Sequence, residues 1–292
     1  MMTTNGDRIP VTVLVRTIGR PQLLRECLSS IAATRPAPAE ILVVDQSGGR
    51  EVSDVVRSFE AAGARVERSS ERGTGVAFNV GLRAATHDFV LNTDDDCTVA
   101  EDWVSAAYRR MLERPDGIIT GQVLAAGDPQ AVPSTIDDPE PRDYTGTIRF
   151  GALFTNNMAC NRLSVLALGG FDERIKPVAE DNDLCYRWLK AGHSLRYVPE
   201  LVVWHHEWRS HEDLERWYVQ YARSQGIFYA KHLRQGDLRM LRYLVWELYA
   251  ALRGTASRVL KGRPRWSDSR QGIFRGLPAG FVHGWRVFGT DG

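Results

Sequence analysis

A chain of 292 residues with 43% hydrophobic and 25% charged side chains can bury a core without staples, as one large α/β domain with an elaborated C-terminal part or as two modest domains. Its four cysteines (Cys27, Cys97, Cys160 and Cys185) have no short paired spacing, which excludes a zinc cluster or disulfide framework and predicts reduced thiols. Net charge is only +1, yet residues 209–292 hold 15 Lys and Arg against 7 Asp and Glu, so an acidic body carries a basic tail. Such a tail suits a phosphate-rich surface or an anionic acceptor, and equally a solvated helical face.

The first ten residues are polar and lack the apolar core of a signal peptide, and no apolar run approaches the roughly 20 residues of a membrane span. A cytoplasmic protein is expected. Val11–Val15 is an apolar, β-branched run, the pattern of a buried strand. Gly19-Arg20-Pro21 breaks it, and Pro21 suits the first turn of a helix from about Gln22 to Ala33. Ile41–Val44 is a second buried strand ending in Asp45. A helix over Val52–Ala62 shows Val52, Val55, Val56 and Phe59 on one face, followed by a strand at Ala64–Glu67. Val76–Ala85 reads as a helix and Asp88–Asn92 as a strand. Alternating β and α segments imply a mostly parallel sheet with helices on both faces, whose ligands bind beyond the carboxyl ends of its strands. Thr17, Asp45 and Asp94-Asp95-Asp96 all fall there.

Further along, Trp103–Leu112 predicts a helix and Ile118–Leu124 a strand. Ala125–Tyr144, with four prolines and several acids, reads as a long surface loop of the kind that is usually functional or disordered. Leu195–Val198 and Leu201–Trp204 predict two more strands, and the pattern beyond Arg209 is helical. Domains are expected at 1–208 and 209–292.

The acidic triplet is the sharpest chemical feature. Three adjacent carboxylates repel one another and are costly unless a cation neutralises them. Mg²⁺ and Mn²⁺ prefer oxygen ligands and bind diphosphates; a solvated acidic turn is the plainer reading. A second cluster, Glu180-Asp181-Asn182-Asp183, precedes Leu184, Trp188 and Leu189, with Gly192 as the stop, which places it on a helix's first turn. Acids there complement the macrodipole, and they can also serve as a base. His205-His206-Glu207 follows a strand-like run, and imidazole is a common metal ligand; the five-residue step from His206 to His211 does not fit a zinc-hydrolase helix. Gly73-Thr74-Gly75 offers backbone N–H groups at a helix start, with Arg72 and Arg83 as candidate diphosphate charges.

Four separated segments together resemble the family-2 glycosyltransferases of the A-type fold. Val11-Thr12-Val13-Leu14-Val15-Arg16-Thr17-Ile18-Gly19-Arg20-Pro21 is similar to their opening strand and nucleotide turn, and Ile41–Asp45 to the second strand. Asn92-Thr93-Asp94-Asp95-Asp96 with Glu101-Asp102-Trp103 resembles the acidic metal motif and its trailing helix. Gly169-Gly170-Phe171-Asp172-Glu173 with Glu180–Leu184 resembles the segment ending in the catalytic base, and Asn156-Asn157-Met158-Ala159 the strand before it. The resemblance spans about residues 10–210. It implies that Thr17 and Asp45 hold the nucleotide, with Arg20, Arg72, Asn79 and Asp95 as further donor contacts. Asp94 would sit near the ribose or the metal, Asp96 would ligate the metal, His205 would be a second metal ligand, and Asp181 would be the base with Glu180 in support. The implied donor is a nucleotide-diphosphate sugar, the implied cofactor Mn²⁺ or Mg²⁺, and the implied reaction transfer with inversion to a hydroxyl-bearing acceptor.

Two departures stand out. Arg16 and Ile18-Gly19 occupy positions where the family usually has Pro and Tyr-Asn. Phe78 stands where an Arg often precedes the residue equivalent to Asn79, which shifts attention to Arg72. The rival functions are a sugar-phosphate nucleotidyltransferase and a non-catalytic nucleotide-sugar or glycan-binding module. No nucleic-acid partner is expected. Tyr243, Leu244, Trp246, Leu248 and Tyr249, with Arg253, Arg258, Lys261, Arg263 and Arg265, suit a peripheral contact with the inner face of the membrane, packing on the catalytic domain, or a homodimer.

Overall fold

The computed structural model describes residues 8–146, 150–263 and 272–289; Arg265 of the basic cluster lies outside them. The chain divides into two compact units.

The first unit holds a nine-stranded sheet: β1 (Ile9–Thr17), β2 (Pro38–Asp45), β3 (Ala64–Arg68), β4 (Phe89–Asp94), β5 (Cys97–Val99), β6 (Ile118–Ala126), β7 (Arg142–Tyr144), β8 (Met158–Asn161) and β9 (Leu195–His206). Its helices are α1 (Pro21–Ala33), α2 (Glu51–Arg57), α3 (Thr74–Ala84), α4 (Trp103–Glu113), α5 (Arg162–Ala167) and, from its second residue, α6 (Glu180–Lys190). Spatial order is β3-β2-β1-β4-β8-β6-β9-β5, with β7 against β9. The β3-β2-β1-β4 half is parallel. β8 enters antiparallel between β4 and β6, and β6 runs parallel to β9.

Strand side chains alternate between two faces, and the buried ones sort into two cores accordingly. Val13, Val15, Ile41, Val43 and Leu91 join Leu24, Leu28 and Ile31 of α1 and Trp103 and Met111 of α4. Leu14, Leu42, Val44 and Val90 join Phe78 and Leu82 of α3 and Leu184, Trp188 and Leu189 of α6. β1, β2 and β4 read as largely continuous apolar runs because both faces are covered. Their carboxyl ends therefore emerge between helix layers, which fixes where a ligand can be reached.

Several segments differ from expectation. The helix foreseen over 52–62 stops at Arg57, because the Ser58 hydroxyl donates to the Val55 carbonyl at 2.6 Å; a separate 3₁₀ turn follows at Glu60–Ala62. The two strands foreseen at 195–198 and 201–204 are one strand, with a register shift opposite Gly121 and Gln122. The 125–144 loop is anchored: β6 extends to Ala126, Val123 and Ile136 form a bridge, and β7 closes the segment. All four cysteines are free and buried, and burial pushes the Cys160 and Cys185 thiols up to about 12, so these two stay protonated and inert.

The second unit comprises Asp128–Ala131, Glu173–Glu180 and Trp208 onward. It thus takes in two short segments from within the expected 1–208 domain. Three long helices dominate it: α7 (His211–Arg234), α8 (Arg239–Leu260) and α9 (Ile273–Val287). α7 and α9 lie unusually close. Gly276, Gly280 and Gly284, four apart and so on one helix face, rest on the α7 backbone at Val219, Arg223 and Ile227. A Cβ on Gly280 would run into the Arg223 carbonyl oxygen. Gly280→Ala is accordingly expected to lower stability by about 1–3 kcal/mol through overpacking, despite alanine's better helix propensity. Thermal melts of the two proteins check this; an unchanged or raised Tm would contradict it.

Candidate active site

The carboxyl ends of β1, β2 and β4 stand side by side, with Thr17 in register with Asp45 and Arg16 in register with Asp94. Past Thr17 the chain turns sharply through Gly19, whose φ of +101° favours glycine. An added Cβ there would approach the Ser47 Cβ to 2.8 Å. The turn is closed by the Gly19 N–H donating to Thr17 Oγ1 at 3.1 Å. It sets Arg20, just ahead of α1, over the acidic triplet.

Two arginines, rather than an ion alone, answer the crowding of the triplet. Arg20 donates from Nη1 to Asp96 Oδ2 at 2.8 Å and from Nε to Asp95 Oδ2 at 3.2 Å, and its Nη2 pairs with Asp95 Oδ1. The Thr17 hydroxyl adds a bond to Asp95 Oδ2 at 2.6 Å. Arg16 donates from Nε to Asp94 Oδ1 at 3.0 Å and pairs with it through Nη2. Its guanidinium lies 4.2 Å over the Phe78 ring, and Phe78 stacks on Phe171 at 4.4 Å between centroids. Three carboxylates against two guanidinium groups leave one formal negative charge.

Burial governs the protonation of this cluster. Asp95 is pushed up to about 6, first by burial and then by Asp96, against the pull of Arg20 and the Thr17 hydroxyl. Arg20 is held above its ordinary value: burial works against its charge, but Asp96, Asp95 and Asp94 outweigh it. The Cys97 thiol is driven well above the usual range by burial and then by Asp96 and Asp94.

Asp96, Cys97 and His205 have ligand atoms within 4.8 Å of one another and are all buried. β5 pairs with β9 so that Cys97 faces His205, and the His206 N–H donates to the Asp96 carbonyl at 2.9 Å. His205 Nε2 lies 3.6 Å from Asp96 Oδ2. His205 Nδ1 is buried with no hydrogen-bond partner. A carboxylate and an imidazole suit Mn²⁺ or Mg²⁺ completed by diphosphate oxygens and water. Cys97, held as a neutral thiol, is a poor third donor for so hard an ion. Asp94 lies outside this group of three; Arg16 engages its Oδ1 as Arg20 engages Oδ2 of Asp96.

Asp45 is 1% exposed. Its Oδ1 accepts from the Ser47 N–H at 2.8 Å and from the Ser47 hydroxyl at 2.5 Å, while its Oδ2 has no hydrogen-bond partner. An aligned, buried carboxylate oxygen of this kind is costly unless a donor reaches it. Beside it, the Gln46 amide donates to the carbonyls of Glu71 (2.6 Å) and Gly73 (3.1 Å), fixing the loop that leads into α3 and carries the exposed Arg72.

Asn79 sits elsewhere. Its side chain donates to the Phe171 carbonyl and accepts from the Phe171 N–H, both at 2.9 Å. This buried clamp ties the Gly170–Phe171 turn to α3. Arg20 and Thr17 likewise spend polar atoms on the acidic triplet. On α6, Arg187 binds Asp183 at 2.7 Å and the carbonyls of Leu168 and Gly170 at 2.9 and 2.6 Å, so the same turn anchors the start of the helix. Asp181 is half-buried there and accepts from the Asn182 N–H at 2.7 Å; Glu180 is 4% exposed. Sequence reasoning noticed Arg16 only as a departure. The signal for its role was the β1–β4 register, which sets position 16 beside 94.

A mostly parallel sheet with helices on both faces, an acidic cluster at its strand ends and a trailing helical region define the A-type fold of glycosyltransferases. The mannosyltransferase PcManGT of Pyrobaculum calidifontis, solved with GDP-Man and Mn²⁺, superposes with a TM-score of 0.65 at 19% identity, covering 98% of this chain and 89% of its own. TarS 1-349 of S. aureus, solved with UDP-GlcNAc, gives 0.58 at 14% identity, covering 96% and 90%. The sequence profile of Glycosyl transferase family 2 matches residues 12–163, just over half the chain, which therefore belongs to that family. Among curated relatives, the pre-mycofactocin glycosyltransferase of Mycobacterium tuberculosis is 25% identical over 67% of this chain and 42% of its own length. The N-acetylglucosaminyltransferase of Rhizobium meliloti is 30% identical over 63% and 47%. The chain thus spans about half the length of these relatives.

Proposed function

We propose that the protein transfers a sugar from a nucleotide-diphosphate donor to an acceptor hydroxyl, inverting the anomeric carbon in one displacement. The observation that carries this reading is the meeting of Asp96 and His205 just past the strand ends, together with the buried, unpartnered Oδ2 of Asp45 at the end of β2. Asp45 accepts a hydrogen bond from the donor's base. Asp96 and His205 hold a divalent cation, which when bound neutralises the charge growing on the departing diphosphate. Arg20 and Thr17 keep the triplet's carboxylates aimed while their repulsion is offset, and Arg72, exposed on the loop ahead of α3, meets a phosphate. Asp181 takes the proton from the acceptor hydroxyl as its oxygen bonds to the anomeric carbon and the bond to the diphosphate breaks.

The test is a donor panel including UDP-GlcNAc and GDP-mannose, read as thermal stabilisation with and without Mn²⁺. One donor at roughly 100-fold over its Kd should raise Tm by about 5 °C or more with the ion present. NMR of the transfer product should then show the anomeric configuration opposite to the donor's. A retained configuration, or no stabilisation by any nucleotide sugar, would overturn the proposal.

A further inference from the structure

α8 carries large apolar side chains on both of its sides. Its half-buried side holds Tyr243, Leu244 and Leu248, together with Glu247, which accepts a hydrogen bond from the Tyr229 hydroxyl. Its outward side carries Leu241, Val245, Trp246, Tyr249, Leu252 and Val259. Val245, Trp246, Leu252 and Val259 are 65%, 67%, 60% and 65% exposed. Steps of three, four and seven residues place most of these on one stripe, along a helix of 22 residues, or about 33 Å. Contiguous exposed apolar surface of that extent marks an interaction site.

Among the described residues of α8 and α9, the exposed charges are of one sign. Glu247 is the only carboxylate of α8, and it faces inward; α9 has none. Asp237, just ahead of α8, is 8% exposed and bonded to Arg239 at 2.9 Å. Arg242, Arg253, Lys261 and Arg263 are exposed on or just beyond the helix. No described helix is long and apolar enough to cross a membrane.

We propose that this face of α8 docks on the surface of an anionic lipid bilayer, the helix lying in the plane of the interface. The stripe enters the acyl boundary, Trp246 and Tyr249 sit at headgroup depth, and the arginines meet lipid phosphates. Charge decides the occupant. A second copy docking through the same face would set its arginines against these, since a two-fold contact brings one patch onto itself. An anionic bilayer supplies both an apolar layer and the missing negative charge. The inference is independent of the donor and of the reaction.

Flotation of the full chain tests it, with vesicles of phosphatidylcholine alone or with about one-third phosphatidylglycerol, at low and high salt. Binding should be at least tenfold greater to the anionic vesicles at low salt and should fade as salt screens the charges. Arg242→Gln with Arg253→Gln should weaken it roughly thirty-fold, the product of two lost basic contacts. Val245→Asp with Leu252→Asp should abolish it, and all these sites are exposed, so circular dichroism should not change. The lipid and salt arms need no variant. No flotation with anionic vesicles, equal flotation with both kinds, or a dimer in sedimentation that Val245→Asp with Leu252→Asp dissolves, would each overturn the proposal.

Discussion

Asp181→Asn is expected to lower turnover by about 10²-fold or more, with donor affinity nearly unchanged. General-base catalysis is worth roughly that factor, and the amide keeps the carboxylate's shape and its bond from the Asn182 N–H while losing the ability to take a proton. Nearby, Arg187 is held by Asp183 and two carbonyls. A loss in kcat without a matching rise in donor KM is the signature of an interaction made only in the transition state. Glu180→Gln separates the two acids. Should it be the crippling change while Asp181→Asn is tolerated, the base is Glu180.

Asp96→Asn should be the more damaging substitution, at about 10³-fold in turnover. The amide oxygen can still accept from Arg20, so the fold should persist, as a melt without added metal would show. What disappears is the negative ligand next to His205. Stabilisation by Mn²⁺ together with the nucleotide diphosphate should vanish in the variant, a readout that needs no catalysis. Excess chelator should reproduce the wild-type loss reversibly. Full turnover in chelator would end the metal-dependent reading.

The parallel half of the sheet could be read from the sequence because its information is local. β1, β2 and β4 are apolar runs punctuated by Gly, Pro and acids, and the acidic triplet follows β4 directly. β5, with three residues, and β8, with four, are too short to show a period. The antiparallel entry of β8 is set by partners on β4 and β6 far away in the chain. Side-chain roles were harder to read than strands. The bond from Asn79 to Phe171 spans 92 positions and that from Arg16 to Asp94 spans 78, and neither leaves a local pattern. The acids were visible as a charge problem, whereas the arginines that answer it were not. The apolar residues of α8 could be named but not assigned a side, because both of its faces carry large hydrophobics.

The stacking of Arg16 on Phe78 ties a strand residue to a helix residue, with Asp94 held by the same guanidinium. Placing Arg at position 78 alone would remove the ring and crowd two cations over Asp94, whereas changing position 16 alone would remove the guanidinium that pairs with Asp94. The effects of changes at 16 and 78 should therefore fail to add, and any graft that crosses over between these residues will have to move both positions together.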